Sequence, residues 1–234
     1  MPFAARSFEG IGKNFVGPQG TYSVAGDPPD TNGDIGPNHY VQIVNSSLAV
    51  FGRSGAVLFG PVQINTLWRG FGGSCETSTD GDPIVKYDKR ADRWIVSQFS
   101  VTAPPYLECI AVSATGDPAG SYHRYSYAFP NLNDYPKLGI WPDGYYFTFN
   151  MFDAQDNLVG GEVCVFDRTA MLAYCTRLGF AVVSGDPIGD CARFKDLVDD
   201  FAAMSSASTR APEPSWQAFW IPRTPGPGPN ADSR

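Results

Sequence analysis

The chain has 234 residues, a formal net charge of −7 and a sequence pI of about 4.7. Phosphate contacts require clustered lysine and arginine, so this acidic balance argues against a nucleic-acid partner. The sequence contains no run of roughly 18 apolar residues, so we expect no membrane span. Aromatic residues make up 14% of the chain, and glycine and proline are abundant. This composition favours an all-β domain with many short strands.

The first notable stretch is "GDPPDTNGDIGPNHYVQIVN", residues 26–45, in which an oxygen-rich loop leads into an apolar strand. Its candidate calcium ligands are Asp27, Asp30, Asn32 and Asp34. Hard oxygen ligands at alternating positions are typical of calcium loops. The loop is not an EF-hand, because counting from Asp30 places Ile35 at position six and Val41 at position twelve. Two interpretations remain open, a looser calcium site and a connection rich in Asx turns.

This opening recurs along the chain. Successive units begin at Asp27, Asp82 and Asp134, which are separated by 55 and 52 residues. Each unit continues with a polar turn and an aromatic-led strand, at residues 40–45, 94–99 and 145–150, and then with a strand–turn–strand segment. Four short antiparallel strands in about 50 residues are typical of a β-propeller blade. We therefore predict a β-propeller-like domain over residues 1–184 with about three four-stranded blades.

The pattern breaks after a fourth Gly-Asp-Pro at residues 185–187. Residues 190–206 have helical spacing of apolar residues, and the end of the chain is rich in proline and glycine. We expect residues 185–234 to form an irregular tail, part helical and part disordered. Three blades would leave sheet edges open, which favours a homo-oligomer that completes the ring or a tail that covers an edge.

The five cysteines are Cys75, Cys109, Cys164, Cys175 and Cys191. With no CxxC pair and only two histidines, the sequence argues against a Cys/His zinc site. The composition favours an exported protein with disulfides. We expect Cys164–Cys175 first and Cys75–Cys109 second, with Cys191 left over; five buried reduced thiols are the alternative. The N-terminus has no signal-peptide pattern, so we expect an exported protein's leader to be absent from this chain.

In a propeller, equivalent residues of successive blades converge on the central channel. Asp27, Asp82 and Asp134 at the blade starts could therefore hydrolyse a glycosidic bond, hold a cation or cap turns. Glu162 is the nearest glutamate in the third unit.

Aromatic side chains supply the substrate-binding candidates, because sugar rings stack on Trp and Tyr faces. Trp68 and Trp141 lie near turns, and Tyr145 begins a strand. His39 sits in a turn before Tyr40, where it is either a surface residue or a site residue at the channel rim. The alternative for the aromatic residues is packing between blades.

The Asp-Pro starts and aromatic strands resemble five-bladed propeller glycosidases and sialidase-like propellers. The "PPDTNGD-GPNHYVQ" opening is similar to that of secreted bacterial propeller-like proteins, mostly of unassigned function, over most of residues 20–170. The resemblance to the glycosidases implies that Asp27 is a nucleophile or base and that Asp82 stabilises the transition state or modulates a pKa. It implies a Glu general acid in a later blade, where this chain has Asp134 and Glu162.

The function we predict is hydrolysis of an extracellular polysaccharide or oligosaccharide at a carboxylate-lined channel. The alternative is a non-catalytic, calcium-stabilised glycan-binding or adhesion propeller that completes its ring by oligomerisation.

Overall fold

The computed structural model describes residues 6–23 and 27–173, and this part of the chain is all-β with antiparallel sheets. A short ribbon comes first, formed by β1 (Val16–Gly17) and β2 (Gly20–Thr21). Sheet I then contains β3 (Asn32–Ile35), β4 (His39–Val44), β5 (Ser47–Gly52) and β6 (Val57–Gln63). Sheet II contains β7 (Gly81–Asp88), β8 (Arg93–Ser100), β9 (Tyr106–Ser113) and β10 (Tyr122–Phe129). Sheet III contains β11 (Leu132–Ile140), β12 (Gly144–Phe152) and β13 (Leu158–Asp167).

Sheets I and II confirm the prediction of four-stranded antiparallel units in chain order. Polar turn residues close the hairpins, as at the β7–β8 turn, where Asp88 Oδ1 accepts the backbone N–H groups of Arg90 and Ala91. Between β12 and β13, the Asp153 carboxylate accepts the N–H groups of Gln155 and Asn157. These contacts keep the hairpin connections short.

The third unit differs from the expectation of a further strand after "GEVCVFD". β13 is followed by a short helix, α2 (Arg168–Ala173). Residues 174–234 lie outside the described residues, and so do the predicted tail, its helix at 190–206 and the Gly-Asp-Pro at 185–187.

The core lies between the sheets and follows from strand alternation. Almost all of β8 is buried, because its two faces pack in opposite directions. Trp94 and Val96 belong to the cluster shared with sheet I, whereas Ile95 packs with Phe147 and Phe149 of sheet III. Sheet II is therefore covered on both faces.

The connection between sheets I and II contains a 3₁₀ helix (Ile64–Trp68) and α1 (Ser74–Thr77). Cys75 of α1 forms a disulfide with Cys109 of β9, with an S–S distance of 1.99 Å. This is the second pairing that the sequence suggested. Cys164 has no disulfide partner among the described residues, and its first-choice partner Cys175 lies outside them. No helix in the described part of the chain is long and apolar enough to cross a membrane.

The first strands of the three sheets lie side by side. Asn32 Oδ1 accepts the Val85 N–H at 3.0 Å, and Asp34 Oδ2 accepts the Tyr87 N–H at 2.8 Å. One sheet further on, Asp82 Oδ2 accepts the Tyr135 N–H at 3.1 Å. Side chains of each first strand therefore hold the backbone of the next one, across 53 residues of sequence each time.

Candidate functional site

A pocket of about 380 Å³ opens where β7 and β11 begin and where the chain enters β3. We call it the mouth pocket; it is lined by Asp30, Thr31, Asn32, Asp82, Pro83, Ile84, Lys86, Tyr135, Pro136, Lys137 and Leu138. Residues from all three units meet there because the three first strands are adjacent. The repeat predicts that carboxylates of successive units converge, and Asp30 and Asp82 both line this pocket.

Asp82, which lines this pocket, is held in place by hydrogen bonds to two neighbouring segments. Its backbone N–H donates to Asn45 Oδ1 at 3.1 Å, and its Oδ2 accepts the Tyr135 N–H at 3.1 Å. Asn45 Nδ2 in turn donates to Asp30 Oδ2 at 2.7 Å. Asn45 therefore links the carboxylate of the first unit to the backbone of the second.

Burial and neighbouring negative charges both raise the pKa of Asp82. Partial burial, followed by the negative charges of Asp134 and Asp30, raises the pKa of Asp82 above its ordinary value. The Tyr135 N–H and the Lys137 ammonium oppose this shift without reversing it. The mouth pocket thus brings the carboxyl groups of Asp30 and Asp82 together, and the charge of nearby Asp134 also acts on Asp82.

An aromatic surface stands beside these carboxyl groups. The Tyr135 side chain is 58% exposed, and Lys137 Nζ lies 3.1 Å from the centre of its ring. Lys137 Nζ also donates to the Pro136 carbonyl at 2.8 Å. Burial lowers the pKa of Lys137 despite the three nearby carboxylates. The ring is therefore fixed by a cation–π contact and remains accessible to a ligand.

The residues predicted as calcium ligands are divided between two roles. The Asn32 and Asp34 oxygens accept N–H groups of β7, and Asp34 Oδ1 also accepts the Ile35 N–H. Asp30 belongs to the mouth pocket, while Asp27 is exposed in the preceding loop. The described residues contain no group of three or more His, Cys, Asp or Glu side chains that could hold a metal ion.

The residues predicted to be catalytic do not all lie at one site. The charge of Asp134 acts on Asp82, which lines the mouth pocket together with Asp30, a residue of the first unit 52 positions before Asp82. Glu162 is exposed on β13, at the opposite edge of sheet III from β11.

Among the residues predicted to bind substrate, Trp141 is the most exposed. Trp68 and Tyr145 are fully buried, and the Tyr145 hydroxyl donates to Asp88 Oδ2 at 3.1 Å. His39 is half-buried at the start of β4. Trp141 is 67% exposed, at the other end of β11 from the mouth pocket.

Sequence reasoning missed a buried polar group behind Asp82. Glu108 on β9 is fully buried, and Asn133 Nδ2 on β11 donates to its Oε2 at 3.1 Å. Burial raises the pKa of Glu108 to about 8; Ser97 and Asn133 act against the rise and the charge of Asp82 adds to it. Glu108 Oε1 and Asn133 Oδ1 are buried without a hydrogen-bond partner in the described structure. The available signal was a glutamate inside the otherwise apolar strand "LECIAV".

No protein-family profile and no solved structure matches the chain. A 36-residue segment is 75% identical to a protein of Mycobacterium tuberculosis (strain ATCC 25618 / H37Rv) described as MprF-like domain protein Rv1619. The match covers 15% of this chain and 7% of that protein.

Proposed function

We propose that this chain is an extracellular glycan-directed hydrolase that acts at the mouth pocket of a β-propeller-like fold. The observation that carries the proposal is the raised pKa of half-buried Asp82 beside Asp134 and Asp30. Glycoside hydrolysis needs one carboxyl group that keeps its proton and a second that is ionised. A half-buried carboxyl group whose pKa is raised by burial and by neighbouring negative charges suits the first of these roles.

The proposed chemistry assigns a role to each group. Asp82 transfers its proton to the glycosidic oxygen as the bond from that oxygen to the anomeric carbon breaks. A water molecule adds to the anomeric carbon, and its proton passes to the ionised carboxylate of Asp134 or Asp30. The exposed Tyr135 ring supplies a flat apolar surface for the sugar next to the reacting bond.

The propeller-like arrangement is supported by the repeat of antiparallel units and by their adjacent first strands. The exposed apolar residues Leu158, Val159 and Val163 on outer strand β13 support assembly into a homo-oligomer. The Cys75–Cys109 disulfide supports an extracellular location, because disulfides persist in oxidising compartments.

A second candidate is a non-catalytic glycan-binding or adhesion propeller, stabilised by calcium at Asp27, Asp30, Asn32 and Asp34. The observation that favours it is that Asp30 and Asp82 both accept hydrogen bonds from neighbouring groups, as structural carboxylates do. Thermal melts with EDTA and with calcium restored test the calcium component. A loss of several degrees that calcium recovers supports the calcium set, and an unchanged melt removes calcium from this alternative.

The distinguishing experiment measures reducing-end release from a panel of polysaccharides, together with binding to the same panel. The variants are Asp82→Asn, Asp134→Asn and a control, Asp156→Asn, in the exposed β12–β13 turn. A hydrolase loses at least 100-fold in turnover in Asp82→Asn while it keeps binding, and Asp156→Asn is unaffected. Binding without reducing-end release identifies the glycan-binding alternative, and the absence of both overturns the proposal.

A further inference from the structure

A second pocket, of about 390 Å³, lies at the opposite end of the first strands. We call it the distal pocket; it is lined by Tyr87, Asp88, Lys89, Arg90, Ile140, Trp141, Pro142 and Arg168. β7 extends from the mouth pocket at Asp82 to the distal pocket at Asp88, and β11 likewise ends at Ile140. The two pockets are therefore built on the same strands but are separate sites.

The distal pocket presents an aromatic face to solvent. Trp141 is 67% exposed, and its backbone N–H donates to the Gly144 carbonyl at 3.0 Å, which fixes the turn between β11 and β12. Ile140 and Pro142 flank it in sequence and add apolar surface to the pocket lining. A large exposed aromatic side chain on a fixed turn is the kind of surface on which a sugar ring stacks.

The acidic residue of the pocket is already neutralised. Asp88 is buried, and its carboxylate accepts two hydrogen bonds from Arg168. Arg168 Nε donates to Asp88 Oδ2 at 2.5 Å, and Arg168 Nη2 donates to Asp88 Oδ1 at 3.1 Å. Burial alone would raise the pKa of Asp88, but Arg168 and the Ala91 N–H lower it below its ordinary value. Asp88 and Arg168 together therefore contribute no net charge to the pocket.

Two further cations line the pocket. Lys89 and Arg90 are exposed in the turn after β7, and neither forms an ion pair with a described residue. The Arg90 N–H donates to Asp88 Oδ1 at 3.0 Å, which holds this turn in place. The lining therefore carries two unneutralised positive charges, in a chain whose formal net charge is −7.

We propose that the distal pocket binds a carboxylate-bearing sugar unit, with the ring against Trp141 and the carboxylate near Lys89 and Arg90. An exposed aromatic face beside two positive charges matches a ligand that is both ring-shaped and anionic. The proposal does not depend on hydrolysis at the mouth pocket. A chain that hydrolyses no polysaccharide can still bind an acidic sugar at this site.

The test titrates the full chain with a galacturonic acid trimer and with a neutral galactose trimer, by isothermal calorimetry at low salt. We expect binding of the acidic trimer to be about tenfold weaker in Trp141→Ala and in the double variant Lys89→Gln/Arg90→Gln. Raising the salt from 50 to 300 mM weakens binding of the acidic trimer in the wild type and has little effect in the double variant.

Two control variants locate the site. Lys13→Gln removes an exposed positive charge in the N-terminal segment, outside the pocket lining, and Asp82→Asn changes a residue that lines the mouth pocket but not the distal pocket. Lys13→Gln should bind the acidic trimer as the wild type does, and Asp82→Asn tests whether the trimer occupies the mouth pocket instead. The proposal is overturned if the acidic trimer does not bind at millimolar concentration or if the neutral trimer binds equally well. Loss of binding in Asp82→Asn with unchanged binding in Trp141→Ala would also overturn it.

Discussion

The buried carboxyl group of Glu108 makes a prediction about stability that is independent of any substrate. Its pKa is about 8 in the folded chain, against an ordinary value of 4.5 that applies when the chain is unfolded. Below pH 4.5 both states hold the proton and the group costs the fold nothing. Above pH 4.5 the unfolded chain releases the proton while the folded chain keeps it, so stability falls as the pH rises.

The size of the effect follows from that difference. Each pH unit between the two pKa values removes about 1.4 kcal/mol, so the loss reaches about 3 kcal/mol at pH 7 and about 5 kcal/mol above pH 8. Glu108→Gln removes the titration and keeps the shape of the side chain. Its amide can still accept from Asn133 Nδ2 through its oxygen, and its NH₂ group offers a donor to the unpartnered Asn133 Oδ1.

The assay is urea denaturation of the wild type and Glu108→Gln at pH 4.5, 7 and 8.5. We expect equal stability at pH 4.5 and a variant more stable by about 3 kcal/mol at pH 7, which corresponds to about 6–12 °C in a thermal melt. Glu9→Gln, which removes an exposed carboxylate, should follow the wild type at every pH. A Glu108→Gln variant that is less stable at pH 8.5, or whose difference from the wild type is the same at all three pH values, would refute the reasoning.

Two further predictions concern the Cys75–Cys109 disulfide and the Asp88–Arg168 ion pair. Replacing both Cys75 and Cys109 by serine should lower the free energy of unfolding by about 4 kcal/mol, because the disulfide closes a loop of 34 residues. Reductant should lower the melting temperature of the wild type and leave that of the variant unchanged. Equal melting temperatures for the oxidised wild type and the variant would contradict this prediction. Asp88→Asn should cost about 3–5 kcal/mol in urea denaturation at pH 7, because it leaves the Arg168 charge without its partner. Since the folded pKa of Asp88 is lowered, its contribution is fully present above the ordinary pKa of 3.8 and declines as the pH falls through the folded pKa, so a cost that increases from pH 7 to pH 2 would count against this assignment.

The sequence predicts the strand units well because their signals are local. Turn residues and aromatic-led strands recur in each unit, and the strands they predict begin within one residue of the starts of β4, β8 and β12. The repeat also predicts that Asp82 and Asp134 lie together. It does not identify Asp30 as their partner, because Asp27 offers the same Asp-Pro signal and only the contact with Asn45 distinguishes them.

The remaining features depend on distant contacts that leave no local pattern. The Asp88–Arg168 ion pair joins residues 80 positions apart, and Glu108 meets Asn133 across two sheets. Trp68 lies near a turn in sequence, yet it is fully buried at the end of a 3₁₀ helix. Cysteine pairing depends on which elements pack together, so Cys75–Cys109 was only the second pairing that the sequence suggested, and the first includes Cys175, outside the described residues.

The measurement that tests the central proposal most directly is the pH dependence of polysaccharide hydrolysis, as kcat/KM, in the wild type and in Asp134→Asn. If Asp82 is the acid, activity falls at alkaline pH with an apparent pKa above the ordinary aspartate value. Removing the Asp134 charge lowers the pKa of Asp82, so the alkaline limb of Asp134→Asn lies at lower pH. An alkaline limb that does not move, or wild-type hydrolysis that persists in Asp82→Asn, contradicts the account.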